Sequence, residues 1–342
     1  MNSLRIPLAI FSVFLLCSWG PRGHMAANKA AIDAIPADGP SFLANYREWI
    51  AATGPLPDSW RYPSEPYSKI FEDPNHGWFR EQFAFMATIP RSRYEFVLRL
   101  YDEYLAIKDK DAARAKLTNV RWTGTLPYAA MENFDRMKSA MRLYRQSLKD
   151  TSDAGKAQSE NLRRDIAFYV GWLGHYTADG AQPLHDTIHH DGWQGPNPHG
   201  YTTDHAVHGR FESKFVDSIG LTESDLQPLV SSKPARVLND PFAAMIHHLN
   251  DASTHVEQIY CLDQAGALND PHNKEAAALV KSQLSNAALL LRDLTYTAWI
   301  QSGEPQSRGT GPNPIDPSNP TYNPATGSAP PEGPAIPNTV RF

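Results

Sequence analysis

Side chains that can bind metal ions are concentrated in the middle of the chain. Seven of the 13 histidines fall between His175 and His208, where they frame the runs G-H-Y-T-A-D-G-A-Q-P-L-H and H-G-R-F-E. Imidazole and carboxylate groups together suit zinc, and residues four apart lie on one face of a helix. The pairs His175/Asp179 and His208/Glu212 therefore predict two facing helices that hold several metal ions.

The first 18 residues have the pattern of a secretory signal peptide. A short basic segment precedes an apolar run from Ile6 to Cys17 that is too short to span a bilayer, and Ser18 supplies a small residue for cleavage. Cleavage after Ser18 makes Trp19 the N-terminal residue, five positions before His24. A terminal amine and its own carbonyl can chelate a metal. We therefore expect a secreted or periplasmic protein whose N-terminus takes part in metal binding.

The overall composition fits an exported globular enzyme. About 320 residues remain after cleavage, which is enough to bury a sizeable core. The formal net charge of -5 is mild, so a polyanionic partner would have to be held by local cations or by metals. Only one of the two cysteines, Cys261, remains after cleavage. Packing, metal or both must then hold the fold without an internal disulfide.

Apolar residues recur at three- and four-residue spacing almost throughout the chain, and no alternating strand pattern competes. This predicts an all-α fold, with a single compact multi-helix domain over residues 19–301. Pro183 is expected to end the helix that carries His175 and Asp179, so that His185 approaches from another side. The predicted helices are Met25–Ile35, Ser41–Ala52, Trp78–Ala87, Ser92–Ile107, Tyr128–Leu148, Asn161–Ala178, Thr203–Ile219, Pro241–Asp263 and Asn273–Gln301.

The composition changes abruptly at Ser302. Ten of the 28 prolines lie in the last 41 residues, among glycine, serine, asparagine and threonine, with almost no apolar side chains. Such a segment buries too little apolar surface to offset the entropy lost on folding. We expect residues 302–342 to form a disordered or extended tail.

Four motifs resemble those of the all-helical superfamily of bacterial zinc-dependent phospholipases C and fungal single-strand-specific zinc nucleases. They are W-G-x-x-G-H after the signal peptide, P-D-S-W-R at Pro57–Arg61, H-Y-x-x-D-x-x-Q-P-L-H at His175–His185 and H-G-R-F-E-S-K-F-V at His208–Val216. The third motif with its downstream His-x-x-x-Glu is specific, whereas the first two are weak alone. The resemblance spans Trp19 to about Ile300 and implies the fold type of that superfamily.

The resemblance also implies three zinc ions, with Asp179 bridging the first two. The implied ligands are the amine and carbonyl of Trp19, His24 and Asp179 for the first ion, then Asp58, His175 and Asp179 for the second, and His185, His208 and Glu212 for the third.

The second ion lacks one ligand of the family pattern. In relatives a histidine follows the aspartate by about fifteen residues, but here that zone reads Tyr67-Ser68-Lys69. The nearest histidine is His76, within D-P-N-H-G-W-F, and Asp73 is the alternative ligand. A more loosely held second ion is the remaining possibility.

Such a metal set is suited to the hydrolysis of phosphodiesters. A phosphodiester is anionic and water is a poor nucleophile near neutral pH, whereas clustered zinc neutralises charge and lowers the pKa of water. Asp58 is expected to assist as a base. Trp193 and Tyr201, in the loop that would rim the site, are expected to stack on a substrate base, although such aromatic residues also pack loops down.

The ligand set does not separate the two arms of the superfamily, because both cleave P–O bonds with the same metals. We expect a nuclease or 3'-nucleotidase that acts on single-stranded nucleic acid or nucleotides, with no evident protein partner. One alternative is a phospholipase C that hydrolyses phospholipid head groups. The other is a non-catalytic exported protein in which zinc only staples helices together.

Overall fold

The computed structural model describes residues 19–305 and 313–339, and the predicted signal peptide, residues 1–18, lies outside them. Within the described ranges the fold is all-α, as predicted, with one small two-stranded sheet. Across the same ranges, no helix combines the length and apolar character needed to cross a bilayer.

Short connections join most of the helices, and a longer loop over residues 187–206 precedes Val207. The α-helices are α1 Gly20–Asp33, α2 Arg47–Thr53, α3 Leu56–Ser59, α4 Pro66–Glu72, α5 Arg93–Ile107, α6 Ala112–Leu117, α7 Val120–Thr123, α8 Leu126–Ser147, α9 Asp153–Asp179, α10 Val207–Gly209, α11 Val216–Ser218, α12 Glu223–Ser231, α13 Pro241–Ser253, α14 Val256–Gln264 and α15 Lys274–Ser302. The strands are β1 Thr88–Ile89 and β2 Ile336–Pro337. The 3₁₀ turns are Ser41–Tyr46, Asp73–His76, Arg80–Phe83, Pro183–Asp186 and Ala267–Asn269, and a π-helical segment covers Arg210–Phe215.

Helix α9 is the central element of the fold. It begins at a Ser152 cap, whose hydroxyl accepts a hydrogen bond from the Gly155 amide at 3.1 Å. Ile166, Val170 and Leu173 are fully buried and recur at helical spacing. Helices α1, α2, α8 and α15 pack against α9. This surrounding layer holds the C-terminal end of α9 in one position.

Two glycines of α9 let neighbouring helices approach its backbone closely. A Cβ atom at Gly174 would lie 1.8 Å from Asn28 Oδ1 of α1, and one at Gly171 would lie 2.6 Å from the Thr53 Cβ of α2. At Gly171 the Ile50 carbonyl of α2 also lies 2.7 Å from that position, so α2 would have to move, whereas at Gly174 the Asn28 side chain would have to turn away. The glycines therefore allow α1 and α2 to reach the last turns of α9.

One predicted helix, Trp78–Ala87, is wrong. This segment contains only a short 3₁₀ turn before β1. The backbone N–H of Trp78 donates to the His185 carbonyl, and that of Phe79 donates to the Thr123 carbonyl, each at 2.8 Å. The apolar side chains of the segment recur at helical spacing because they are buried in the core. The backbone groups of the segment pair with other parts of the chain and so form no helix.

Two further predicted helices are interrupted. The prediction over Pro241–Asp263 divides at Thr254 into α13 and α14. In the segment predicted as the helix Thr203–Ile219, the helix begins later, at Val207, and it widens into the π-helical segment before α11. Both interruptions preserve the buried apolar face, which is why periodicity alone did not locate them.

The C-terminal segment differs from the disordered or extended tail that its composition predicted. Residues 313–339 fold into turns, and β2 pairs antiparallel with β1. Arg91 Nε donates to the Pro334 carbonyl at 2.9 Å, and Asn338 Nδ2 donates to the Phe83 carbonyl at 3.2 Å. Ile336 packs against the core, and hydrogen bonds from polar side chains to backbone carbonyls add to that contact.

Removing residues 306–342 should lower stability while leaving the helical body folded. Each net hydrogen bond contributes about 1 kcal/mol, and ordering the segment offsets part of that gain, so we expect a loss of about 1–3 kcal/mol. For a chain of this size this corresponds to a Tm lower by about 1.5–5 °C, measurable by scanning calorimetry. Asn338→Ala should reproduce only a fraction of the loss. An unchanged Tm after truncation would show that these contacts contribute no stability.

Candidate metal centre

Three groups of acidic and histidine side chains converge beside the C-terminal end of α9. In each group the potential ligand atoms lie within 4.8 Å of one another. The groups are His24, His175 and Asp179, then Asp58, His76 and His175, and finally His185, His208 and Glu212. These buried groups can hold metal ions. They unite all eight of the side chains that the sequence proposed as ligands.

The chain delivers these side chains from separate elements. Helix α9 ends at Asp179, and Pro183 opens the next turn, which carries His185. The prediction that Pro183 would redirect the chain is thereby confirmed. Gln182 stabilises this corner, since its Oε1 accepts from the Leu184 amide at 2.8 Å and its Nε2 donates to Glu212 Oε2 at 3.1 Å.

The first group lies between the start of α1 and the end of α9. The His24 and His175 rings stack with centroids 4.4 Å apart, and His24 Nε2 lies 3.5 Å from Asp179 Oδ1. The buried indole of Trp19 donates to the Ala178 carbonyl at 2.6 Å. This hydrogen bond holds Trp19, the expected N-terminal residue of the mature protein, beside Ala178, the residue before Asp179.

The second group contains His76. Its Nδ1 atom lies 3.0 Å from both His175 Nε2 and Asp179 Oδ2, and 3.7 Å from Asp58 Oδ1. The sequence left His76 and Asp73 open as the missing ligand. The structure places His76, from the 3₁₀ turn after α4, inside the group.

Asp73 instead takes part in ion pairs beside the group. Its carboxylate accepts hydrogen bonds from Arg61 Nε at 3.1 Å and from Lys69 Nζ at 2.8 Å. Arg121 Nε lies 3.8 Å away. These cations hold the pKa of Asp73 below its usual value, although burial alone would raise it. Its charge is already compensated by side chains.

The third group spans the π-helical segment. His208 Nε2 lies 2.9 Å from Glu212 Oε2 and 3.1 Å from His185 Nε2. The sequence predicted an α-helical turn for the His208/Glu212 pair, whereas Glu212 lies within the wider π-helical turn. Such turns often occur at functional sites, where they adjust the direction of a side chain.

The separations of these atoms fit shared cations. Two ligands at about 2.0–2.1 Å from a tetrahedral ion lie roughly 3.3 Å apart, and the atom pairs above span 2.9 to 3.7 Å. Both carboxylate oxygens of Asp179 and one of Glu212 are buried without a hydrogen-bond donor. A buried carboxylate needs positive charge beside it, which His175 supplies to Asp179 in the metal-free protein and a bound cation could supply otherwise.

A cavity of about 780 Å³ opens onto the second and third groups. Its wall carries the cations Arg61, Arg121 and Lys214 as well as Phe79 and His190. The last two rings stack face to face, with centroids 4.5 Å apart and an interplanar angle of 1°. His190 lies in the loop expected to rim the site, whereas Phe79, Arg121 and Lys214 carry no signal of a site in the sequence until the fold brings them together.

Trp193 and Tyr201, predicted to stack on substrate, do not line this cavity. Trp193 stacks on His189 with centroids 3.9 Å apart, and both Trp193 and Tyr201 contact the Tyr260 ring. These contacts pack the rim loop onto α14, which is the alternative role that the sequence left open for aromatic residues in such a loop.

The acids control the protonation of the neighbouring histidines. Burial lowers the pKa of His208, but the charges of Glu212 and Asp191 outweigh it and raise that pKa to about 10. Burial likewise opposes protonation of His175, and Asp179 and Asp58 raise its pKa to about 9. In the metal-free protein, protons thus occupy positions that a cation would take.

Metal binding should release protons at neutral pH. Both histidines have pKa values above the usual 6.5. Their bound protons therefore stabilise the metal-free fold fully below pH 6.5, and this stabilisation is lost as the pH rises through about 9–10. Titration of metal-free protein with zinc at pH 7, in buffers of different ionisation enthalpy, should report release of about two protons. The double variant His175→Ala/His208→Ala should release none. Binding without proton release would contradict these shifts.

No protein-family model matches this chain, and no curated protein matches it.

Proposed function

We propose that this protein is a zinc-dependent phosphodiester hydrolase that holds three zinc ions and acts on single-stranded nucleic acid or nucleotides. The main support is the convergence of three candidate ligand groups, two of which border one open cavity. The four sequence motifs support membership of the zinc-dependent phospholipase C and nuclease superfamily. A catalytic metal site needs an open coordination position, whereas a purely structural site is closed, so the cavity favours catalysis over a metal staple.

The bound ions would neutralise the phosphodiester and lower the pKa of the attacking water. Arg61 lies at the cavity wall, with Nη1 3.5 Å from Asp58 Oδ1, and its planar guanidinium suits two phosphate oxygens. Burial raises the pKa of Asp58 above its usual value. Because a bound zinc ion would lower that pKa again, the proposal of Asp58 as the base rests on its position beside Arg61 at the cavity wall.

The stacked Phe79/His190 pair supports a nucleic acid substrate. It presents flat rings in the same cavity wall as the ligand His185 and the cation Arg121. Stacking of a base on an aromatic side chain contributes about 1–3 kcal/mol and requires an unpaired base, which favours single strands over duplexes. We therefore propose this pair, in place of Trp193 and Tyr201, as the surface for the base.

Phospholipase C activity is the second candidate because of the exposed face of α4. Tyr67, Ile70 and Phe71 are 91%, 76% and 57% exposed at helical spacing. Lys69 of the same helix donates to the Arg61 carbonyl at 3.0 Å, and Arg61 lines the cavity, so α4 lies near the cavity. Contiguous exposed apolar side chains are typical of surfaces that meet a membrane or another partner.

The following assay tests the reaction and its substrate. Zinc-loaded protein should hydrolyse single-stranded DNA, RNA or 3'-nucleotides, and Glu212→Ala should lose one zinc ion together with turnover. The expected drop in kcat/KM is on the order of 100-fold or more, or about 2.7 kcal/mol. Asp293→Asn is the control, because Asp293 is a buried carboxylate paired with Arg292 outside the three groups. It should lose stability and keep its zinc.

Three outcomes separate the alternatives. Hydrolysis of phosphatidylcholine with no product from nucleic acid would transfer the proposal to phospholipase C. Zinc binding without any phosphoester hydrolysis, and loss of thermal stability alone in Glu212→Ala, would favour the metal staple. Protein that binds no zinc would refute the proposal as a whole.

We also propose that export frees the amine of Trp19 to bind the first ion. The support is the buried Trp19 indole, which ties this residue to the end of α9. Protein beginning at Trp19 should bind one more zinc equivalent than protein with an added glycine before Trp19. Mass spectrometry should identify the N-terminus and plasma emission spectrometry the zinc content. Equal zinc content in the two forms would rule out the terminal amine as a ligand.

A further inference from the structure

The ring nitrogens of the ligand histidines are oriented by partners outside the metal groups. In three of these histidines Nε2 faces the group and Nδ1 meets a backbone carbonyl. The pairs are His175 with the Gly54 carbonyl at 2.9 Å, His185 with the His76 carbonyl at 2.5 Å and His208 with the His190 carbonyl at 3.1 Å. A carbonyl accepts only from N–H, so each contact keeps the proton on Nδ1 and leaves the Nε2 lone pair for a cation.

His76 has the opposite orientation. Its Nδ1 faces His175 and Asp179, whereas its Nε2 lies 3.5 Å from Glu72 Oε1. This distance is within ion-pair range and longer than a hydrogen bond. A cation on Nδ1 would leave the proton on Nε2, and Glu72 is the acceptor that faces this proton.

Glu72 is itself buried and held in place. Only 3% of its surface is exposed. Tyr176 donates its hydroxyl to Oε1 at 2.6 Å, and Asn75 Nδ2 donates to Oε2 at 3.1 Å. Trp172 Nε1 in turn donates to the Tyr176 hydroxyl at 2.9 Å. The carboxylate therefore points at His76 with little freedom to turn away.

The orientation of Asn75 is set independently. Arg93 Nη1 and Thr125 Oγ1 both lie 2.9 Å from Asn75 Oδ1 and can donate to it. With its oxygen engaged, the Asn75 amide directs its NH₂ group to Glu72. This series of hydrogen bonds, from Arg93 of α5 and Thr125 just before α8 through Asn75, thus holds the Glu72 carboxylate behind His76.

We infer that Glu72 is a positioning residue that keeps the proton of His76 on Nε2 and so presents Nδ1 to the second ion. The inference rests on the metal site proposed above and assigns it a residue outside the ligand set. A carboxylate behind a ligand histidine fixes the tautomer and ring orientation and increases the basicity of the ligand nitrogen. In this role Glu72 contributes to metal affinity without contacting substrate.

The prediction concerns the affinity for one ion out of three. Removal of such a carboxylate typically weakens metal binding 10–100-fold, so Glu72→Ala should raise the Kd of one zinc equivalent by about that factor. Glu72→Gln keeps an acceptor oxygen but removes the charge, so its loss should be smaller. The other two equivalents should keep their affinities.

The test uses the mature protein and competition with a chelator of known zinc affinity. Cobalt substitution adds a spectroscopic readout, since a change at one ligand should alter the absorption of one equivalent only. Asp293→Asn is again the matched control: it lowers stability at a distant buried carboxylate, and its metal affinities and cobalt spectrum should equal those of the unmodified protein.

The results separate the two proposals. If the unmodified protein binds three ions and both Glu72 variants bind them with unchanged affinity and spectrum, the role of Glu72 is overturned while the metal site stands. If Glu72→Ala does not fold, the isosteric Glu72→Gln decides by the same measurements. If the unmodified protein binds no zinc or cobalt, both proposals fall.

Discussion

The compensation of one buried charge organises this structure. The Asp179 carboxylate is fully buried, with ring nitrogens of His76, His175 and His24 at 3.0, 3.2 and 3.5 Å. Burial opposes its ionisation, but the charges of His175 and His185 outweigh burial and hold the pKa of Asp179 well below its usual value. A buried carboxylate is tolerated only with positive charge beside it. The His175 imidazolium supplies that charge in the metal-free protein, and a cation can supply it otherwise.

This requirement is met because backbones approach one another closely. Gly171 and Gly174 remove the side chains that would keep α1 and α2 away from α9, and the Trp19 indole ties α1 to its end. The resulting groups differ in access to solvent. The side chains of His24, His175 and Asp179 are fully enclosed, whereas Asp58 and His208 retain 18% of their side-chain exposure. The first group is thus enclosed by the fold, whereas the second and third groups face an open cavity.

Local patterns were sufficient for the parts of the site that lie within one element. The i, i+4 spacing of His175 with Asp179 follows from helix geometry, and Pro183 marked the end of α9. Helical periodicity also predicted the fold class. It failed at Trp78–Ala87, because the spacing of buried side chains there reflects the surrounding core and not a helical backbone. The tail was misjudged for a related reason, since composition does not reveal hydrogen bonds from distant arginines.

The amino-acid sequence by itself determined the all-α architecture and the candidate ligand residues that share a helical turn, because both depend on short-range spacing. The choice between His76 and Asp73 required tertiary structure. Arg61, Lys69 and Arg121 surround Asp73 and compensate its charge, whereas the turn after α4 directs His76 to Asp179. These contacts join residues from separate elements, and their free energies depend on burial and distance, which only the packed chain defines.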